Sequence, residues 1–282
     1  MRRQPSAGIM TDGCELSLIV PTYNERPRLE ELVAAVSSVF AEHRIAGELV
    51  IVDDNSPDGT GDIADRLAER FPVRVVHREG KQGLGSAVIA GFGSARGQAL
   101  GVMDADLSHP PSVLPGMFAT LRALDVDIVV GSRYIPGGAA KNWPWRRLAM
   151  SRLACVMARP LTPVRDATSG LFLVKRAAVE GVKISATGFK ICLELLSRAR
   201  IESIAEIPFV FADRAAGESK MTAREALGYF VQLRDLYARR YIAGRKRGVR
   251  YRQVSDAEMG NWVRSAFEHG RPPASAALNH ES

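Results

Sequence analysis

The run Gly101-Val102-Met103-Asp104-Ala105-Asp106-Leu107-Ser108 reads as a buried strand that stops at two carboxylates one residue apart. In extended backbone, residues i and i+2 point the same way. Asp104 and Asp106 are therefore expected to aim at one point just past the strand's C-terminal end. Two carboxylates that converge repel each other unless a cation sits between them. Hard oxygen donors suit Mg²⁺ or Mn²⁺, and such an ion keeps open positions for the phosphates of a nucleotide. The competing reading is a solvated turn.

Two further polar clusters close apolar runs: Pro21-Thr22-Tyr23-Asn24-Glu25 and Asp53-Asp54-Asn55-Ser56. In open α/β sheets the C-terminal ends of the strands share one edge, where ligands bind. A tyrosine and an aspartate there can hold a base and its ribose. Arg133 follows another apolar run, and Lys190, Arg214 and Lys220 lie in later segments. Cations at the mouth of an acidic metal site suit a substrate with several phosphates, although each alone can be a solvated surface charge. Gly80 to Ala87 lacks the Gly-Lys-Ser/Thr ending of a phosphate loop and reads as a tight strand-to-helix turn. No nucleophile triad is apparent, and His43, His77, His109, His269 and His280 have no metal-ligand spacing.

The elements that must carry these residues alternate. Strands are expected at 15–20, 48–52, 73–76, 99–103 and 128–131. Between them lie helical patterns, such as Leu29, Leu32, Val33, Val36 and Phe40 on one face. Thr60 is in place to cap the second helix. This is the rhythm of βαβ units and a mostly parallel sheet flanked by helices, an α/β fold. After Tyr134 the rhythm changes. An arginine-rich amphipathic helix is expected over 143–161, a strand over 171–174, a helix over 189–199, a strand over 204–211 broken by Pro208, and a long amphipathic helix over 224–242. The domain reading is a disordered leader over 1–13, a catalytic domain over 14–222, an amphipathic basic helix over 223–250 and a mobile tail over 251–282.

The bulk numbers are those of a globular chain, with 46% hydrophobic and 24% charged residues. A net charge of +7 suggests an acidic partner. Three scattered cysteines without a Cys-x-x-Cys pair support neither a zinc site nor a disulfide framework, so a reducing, cytoplasmic setting is expected. Neither a signal peptide nor a transmembrane run stands out. Trp143-Pro144-Trp145-Arg146-Arg147 suits a membrane interface, with ordinary core packing as the alternative.

The motifs Val20-Pro21-Thr22-Tyr23-Asn24-Glu25, Val52-Asp53-Asp54-Asn55-Ser56-Pro57-Asp58-Gly59, Asp104-Ala105-Asp106-Leu107-Ser108-His109-Pro110 and Gly131-Ser132-Arg133-Tyr134 together resemble family 2 glycosyltransferases. Asn142-Trp143-Pro144, Ser169-Gly170, Gly188-Phe189-Lys190 and Gly217-Glu218-Ser219-Lys220 narrow the resemblance to the dolichol-phosphate, or polyprenol-phosphate, mannosyltransferases. It implies a GT-A type nucleotide-sugar fold with GDP-mannose as donor and a polyprenyl (dolichyl) phosphate as acceptor. Pro21, Tyr23, Glu25, Val52 and Asp54 would hold the guanosine. Asp104, Ala105 and Asp106 would bind metal, ribose and diphosphate. Arg133 would face the phosphates, while Lys190, Arg214 and Lys220 would complete the donor site. Arg133, Arg147 and Ser151 would meet the acceptor phosphate, and Asp104, Asp106 and Arg133 would be the catalytic set. Ser108 stands where some relatives carry a Gln of the metal shell, so water or His109 would have to substitute.

A polyprenyl phosphate is already an anion near neutral pH and needs no general base. A single displacement then inverts the sugar. A hydroxyl acceptor would need a base, for which Asp166 is the candidate. The rival readings are a UDP-glucose-dependent polyprenyl-phosphate glucosyltransferase, a metal-dependent nucleotidyltransferase and a non-catalytic nucleotide-binding protein. Nucleic acid is not expected as a partner, since aromatic platforms are sparse. The expected location is peripheral, on the cytoplasmic face of an anionic membrane, or on a separate membrane-anchoring subunit. Arg146, Arg147, Arg152 and Arg159 with Trp143 and Trp145, and Leu227, Phe230 and Leu233, would seat two helices there.

Overall fold

A computed structural model describes residues 13–184, 190–212, 223–242 and 248–268. Its elements, in chain order, are β1 Leu16–Thr22, α1 Arg26–Glu42, β2 Gly47–Asp53, α2 Thr60–Ala68, β3 Val73–His77, α3 Leu84–Ser94, β4 Ala99–Val102, α4 Leu114–Ala123, β5 Ile128–Ser132, β6 Ala139–Ala140, α5 Trp145–Ala158, β7 Phe172–Lys175, α6 Arg176–Val179, α7 Ile191–Arg198, β8 Ser203–Pro208, β9 Val210–Phe211, α8 Ala223–Ile242, β10 Arg250–Gln253 and α9 Asp256–Val263. The main sheet has eight strands in the order β10-β8-β5-β7-β4-β1-β2-β3. Only β7 runs antiparallel to its neighbours, β4 and β5. The mostly parallel sheet therefore stands.

Strands buried on both faces read as near-continuous apolar runs. Leu16, Leu18, Val20, Leu49 and Ile51 pack on the side of α1 and α4. Ile19, Val50 and Val52 pack on the other side, with Val88 and Phe92 of α3 and Ile191 and Leu195 of α7. The face expected for α1 is the one it buries: Leu29, Leu32, Val33, Val36 and Phe40. A third cluster joins α5 to α8 through Ala158, Tyr229, Leu233 and Leu236.

Pro21 lies inside β1, between two strands, which a missing N–H would ordinarily forbid. The Ile19 carbonyl accepts from Met103, beyond β4, and the Thr22 carbonyl accepts from Asp54, beyond β2. Alternate residues thus serve alternate neighbours. The absent N–H of Pro21 falls on the β4 side, where the ladder has already ended at Val102.

Three expectations change. β4 ends at Val102, so Asp104 and Asp106 do not extend a strand. They sit in a turn closed by Leu107 at φ +61°, and the same-side argument does not apply to them. Thr60 caps nothing; its hydroxyl donates to Asp58 Oδ1 at 2.5 Å and accepts the Glu25 N–H. Residues 251–268 are not a tail. β10 adds to the sheet edge through β8, and Ser255 opens α9 with a capping box closed by Glu258. The helix expected over 223–250 is described over Ala223–Ile242, residues 243–247 lie outside the described residues, and Arg250 and Arg252 belong to a strand. Residues 1–12 of the expected leader lie outside the described residues.

Candidate active site

The C-terminal ends of β1, β2, β4 and β5 bring the motif residues to one sheet edge. At the β2 end, Asp53 is a structural hub. It accepts from the Thr22 hydroxyl at 3.0 Å and from the Ser56 hydroxyl and N–H. Its neighbour Asp54 pairs with Arg78 Nη1 at 2.6 Å. Burial raises the Asp54 carboxyl above the usual range, with Arg78 opposing. Arg78 also donates to Gln82 Oε1 and Ser86 Oγ, so the Gly-rich segment is a strand-to-helix turn pinned from β3. Arg78 escaped the sequence reading. Its position just after β3, the logic applied to Asp54 and Arg133, was the available signal. Tyr23 stands open at the β1 end, with Lys81 Nζ 4.3 Å from its ring centre. Glu25 follows it at the start of α1, fixed through its N–H by Thr60. Pro21 is partly buried, and the side chains of Val52 and Ala105 belong to the core. These last two offer a ligand their main chains.

At the β4 end the two acidic residues divide their tasks. Asp106 is buried, and its Oδ1 accepts from the Ser108 hydroxyl at 2.5 Å and the Ser108 N–H at 3.0 Å. The Asp104 side chain is 37% exposed. Behind it lies buried His109. Its Nδ1 accepts the Asp104 N–H at 3.4 Å and sits 3.6 Å from Asp104 Oδ2. The rings of Phe209 and Phe211 enclose this imidazole, and burial holds its pKa below the usual value. Gly170 permits the close approach of the opposite loop: a Cβ there would stand 3.1 Å from Asp104 Oδ2 and 3.3 Å from His109 Cε1.

No group of three His, Cys, Asp or Glu side chains that could hold a metal occurs among the described residues. Two adjacent carboxylates nevertheless fit a hard divalent ion whose remaining positions go to water and phosphate. Ser108 donates to Asp106, and His109 accepts the Asp104 N–H, so both stand beside these carboxylates.

Arg133, at the end of β5, departs from expectation. Its Nε and Nη2 form a fork on Asp166 at 2.7 Å each, and its N–H adds a third bond at 3.0 Å. Burial works against the guanidinium charge, but Asp166 more than offsets it and holds the pKa above the ordinary arginine value. The pair is nearly out of solvent, with Arg133 at 8% and Asp166 at 0% side-chain exposure. Asp166 is thus a fixed partner of Arg133 and cannot serve as a general base. Arg133 in turn meets the site with its charge balanced by Asp166. Glu206 of β8 secures the arrangement from below by accepting the N–H groups of Arg165 and Asp166 at 2.9 Å each, together with the Tyr251 hydroxyl. Cys155 lies against Asp166 and Thr168, and burial pushes its thiol up to about 11. It is no nucleophile at neutral pH.

The side of the site toward α5 is aromatic. Trp143 packs edge-on against Phe211, with Arg133 5.0 Å and Arg147 3.9 Å from its ring centre. Trp143 and Arg147 therefore turn toward the site and not toward a membrane. Ser151, one turn further along α5, accepts from the Tyr134 hydroxyl at 2.7 Å. Lys190 lies half-buried at the N-terminus of α7, among the charges of Arg133, Asp104 and Asp166, and burial lowers its pKa. Arg214 and Lys220 lie outside the described residues. The structure thus gathers Tyr23, Glu25 and Asp54 on one flank, Asp104 and Asp106 at the centre, and Arg133, Arg147, Ser151 and Lys190 on the other. Replacing Asp166 by Ala strands a buried guanidinium and is expected to cost about 3–5 kcal/mol of stability. Urea denaturation measures this, and a loss below about 1 kcal/mol, the worth of an exposed pair, would refute the pairing.

The model of glycosyl transferase family 2 matches residues 17–182. The chain is 41% identical over 227 residues to the dolichol-phosphate mannosyltransferase of Pyrococcus furiosus, an alignment covering 79% of this chain and 63% of that protein. It thus spans less than two thirds of that relative's length. It is 40% identical over 243 residues to the dolichol-phosphate mannosyltransferase of Saccharomyces cerevisiae, covering 81% of this chain and 89% of that one. Among solved structures, glucosyl-3-phosphoglycerate synthase from Mycobacterium tuberculosis, in complex with Mn²⁺, UDP-glucose and glycerol 3-phosphate, superposes with a TM-score of 0.58 at 19% identity. That alignment covers 82% of this chain and 81% of the other, and it speaks for the fold. With its motif residues assembled at one sheet edge, the chain belongs to glycosyl transferase family 2 and is a glycosyltransferase.

Proposed function

We propose that this protein transfers mannose from GDP-mannose to a polyprenyl, or dolichyl, phosphate with inversion at the anomeric carbon. The observation that carries the reading is that the two candidate bases among the described residues of the site are engaged: Asp166 is locked to Arg133, and His109 is enclosed by aromatic rings. An acceptor that is already anionic needs none, whereas an alcohol does. The likeness to dolichol-phosphate mannosyltransferases supports the same chemistry.

In the reaction, an acceptor phosphate oxygen forms a bond to the anomeric carbon. The bond from that carbon to the diphosphate breaks, and its electron pair leaves with GDP. An α-linked donor becomes a β-linked product. Tyr23, Glu25 and Asp54, with the main chains of Pro21, Val52 and Ala105, hold the nucleoside. Asp104 and Asp106 would hold Mg²⁺ or Mn²⁺, which when bound supplies charge neutralisation at the diphosphate. Lys190 offsets charge on the departing group, as Arg214 and Lys220 do by resemblance. Arg147 and Ser151 receive the acceptor phosphate, and the balanced Arg133–Asp166 pair gives that pocket a fixed wall without drawing the two anionic substrates into one well.

The acceptor is a lipid, and no helix among the described residues is long and apolar enough to cross a membrane. Two helices show apolar residues to solvent. On α5 these are Trp145, Met150, Leu153 and Val156; on α8 they are Leu227, Phe230, Val231, Tyr241 and Ile242. The α8 set recurs at helical spacing along one stripe, as an interfacial helix requires. Leu233, expected there, is buried against α5 instead. We assign this double stripe to the cytoplasmic surface of an anionic membrane.

Three tests follow from the reading. A panel of nucleotide sugars is offered with a short-chain polyprenyl phosphate and with the matching alcohol, and the lipid product is read by mass and anomeric configuration. GDP-mannose with the phosphate is expected to give β-linked product and the alcohol none. An α-linked product or a preference for UDP-glucose overturns the proposal. Asp106→Ala is expected to abolish transfer while leaving the circular dichroism spectrum unchanged; near-normal turnover in that variant removes the metal site. Finally, vesicles rich in phosphatidylserine are expected to retain the protein in sedimentation, with losses as salt rises, each basic residue at the surface contributing about 1 kcal/mol. Indifference to both lipid and salt would point to a membrane-embedded partner chain.

A further inference from the structure

The inward face of α8 carries an amide where its neighbours Tyr229, Leu233 and Leu236 pack against α5 and α7. Gln232 is 6% exposed. A polar group at that depth destabilises the fold unless its hydrogen bonds are met. Gln232 meets them on one residue. Its Oε1 accepts the Lys190 N–H at 3.2 Å, and its Nε2 donates to the Lys190 carbonyl at 3.1 Å. The second Nε2 hydrogen goes to Glu194 Oε2 at 3.2 Å. Both main-chain groups of Lys190 are thereby gripped by a single side chain from a different helix. Lys190 sits at the entrance to α7, with its amine among Asp104, Asp166 and Arg133.

α8 also holds the acceptor side. The Tyr229 hydroxyl donates to the Ala154 carbonyl at 2.6 Å, the Tyr237 hydroxyl to that of Met157, and Arg240 to that of Leu161. The first two fix α5, which bears Arg147 and Ser151, and the third holds the segment just beyond it. The opposite face of α8 is the apolar stripe that ends at Ile242, 86% exposed. One helix thus touches the donor residue, the acceptor helix and the surface assigned to lipid.

We propose that Gln232 is a positioning residue for sugar transfer, which fixes Lys190 against the donor diphosphate from the lipid-facing helix. The inference rests on the transferase reading above, and it predicts an effect carried entirely by the Lys190 side chain. Rigidity at a reacting group matters because small displacements there are costly to rate. A merely structural glutamine would instead weaken the fold without regard to what the lysine does.

The test is a double-mutant cycle in the full chain with Gln232→Leu, Lys190→Met and both together. Gln232→Leu is expected to lower kcat by about ten- to a hundredfold while the KM for the polyprenyl phosphate stays unchanged. On the Lys190→Met background it is expected to change kcat by less than about twofold, since residues acting as one unit are not additive. Full multiplicative losses in the double variant, or a Gln232→Leu enzyme within about twofold of wild type, overturn the proposal. Gln232→Asn, one methylene shorter, serves if the leucine variant does not fold, with an intermediate loss expected and the same rule for the cycle. The same four proteins are titrated with GDP-mannose by calorimetry. A wild type that binds this donor but forms no mannosyl lipid refutes the acceptor assignment, and the cycle is then read in the donor Kd. A wild type that does not bind it refutes the donor assignment and the inference with it.

Discussion

The fork between Arg133 and Asp166 governs the rest of the site. A guanidinium and a carboxylate removed from water are costly to bury and survive only with good geometry and further bonds. Here the fork, the Arg133 N–H and the Thr168 hydroxyl supply them. The carboxylate is held in turn because Glu206 fixes the main chain on either side of it, and Glu206 takes a hydrogen bond from Tyr251 on the last strand. The sheet edge formed by residues 250–253 is therefore part of the support for the centre of the site, although it lies far from it in sequence.

This arrangement divides the electrostatic work. At the β4 end, Asp104 remains partly open and Asp106 is tied down by Ser108, so the acidic pair is half anchored and half accessible. Opposite it, the cations are not equivalent. Arg133 is balanced by a buried partner and Arg147 stacks on Trp143, while Lys190 reaches the site from the mouth of α7. The proposed reaction between two anions needs positive charge at the leaving group and shielding at the nucleophile, and the cations of the site stand on different elements. Trp143 and Phe211 pack against the guanidinium groups of Arg133 and Arg147, of which Arg133 is nearly out of solvent, where electrostatic contacts are stronger.

Helices α5 and α8 have two faces of different character. Their inward sides meet through Ala158, Tyr229, Leu233 and Leu236, and two hydrogen bonds from α8 to α5 carbonyls, with a third to Leu161 just beyond α5, lock the contact. Their outward sides leave large apolar groups in water. Such an extent of exposed apolar surface marks an interaction site. Because α5 carries Arg147 and Ser151 and α8 grips the main chain of Lys190, the exposed apolar faces and the candidate site share the same two helices.

The sequence alone determined much of this. Alternating buried runs and helical patterns gave the mostly parallel sheet, because strand and helix periods differ and burial on both faces leaves an unbroken apolar record. The acidic residues after β4 and the polar clusters after β1 and β2 pointed to one sheet edge as the candidate site, since chain topology carries the C-terminal ends of parallel strands to one side. What only tertiary structure decided is which charges are already spent. Asp54 proved bound to Arg78, Arg133 to Asp166, and Asp166 lost its candidacy as a base; Trp143 and Leu233 turned inward. None of these follows from local pattern, because the partners lie 24 and 33 residues apart and meet only when separate loops close over the same edge. A charge in a sequence has a sign, but its availability depends on what the fold puts beside it.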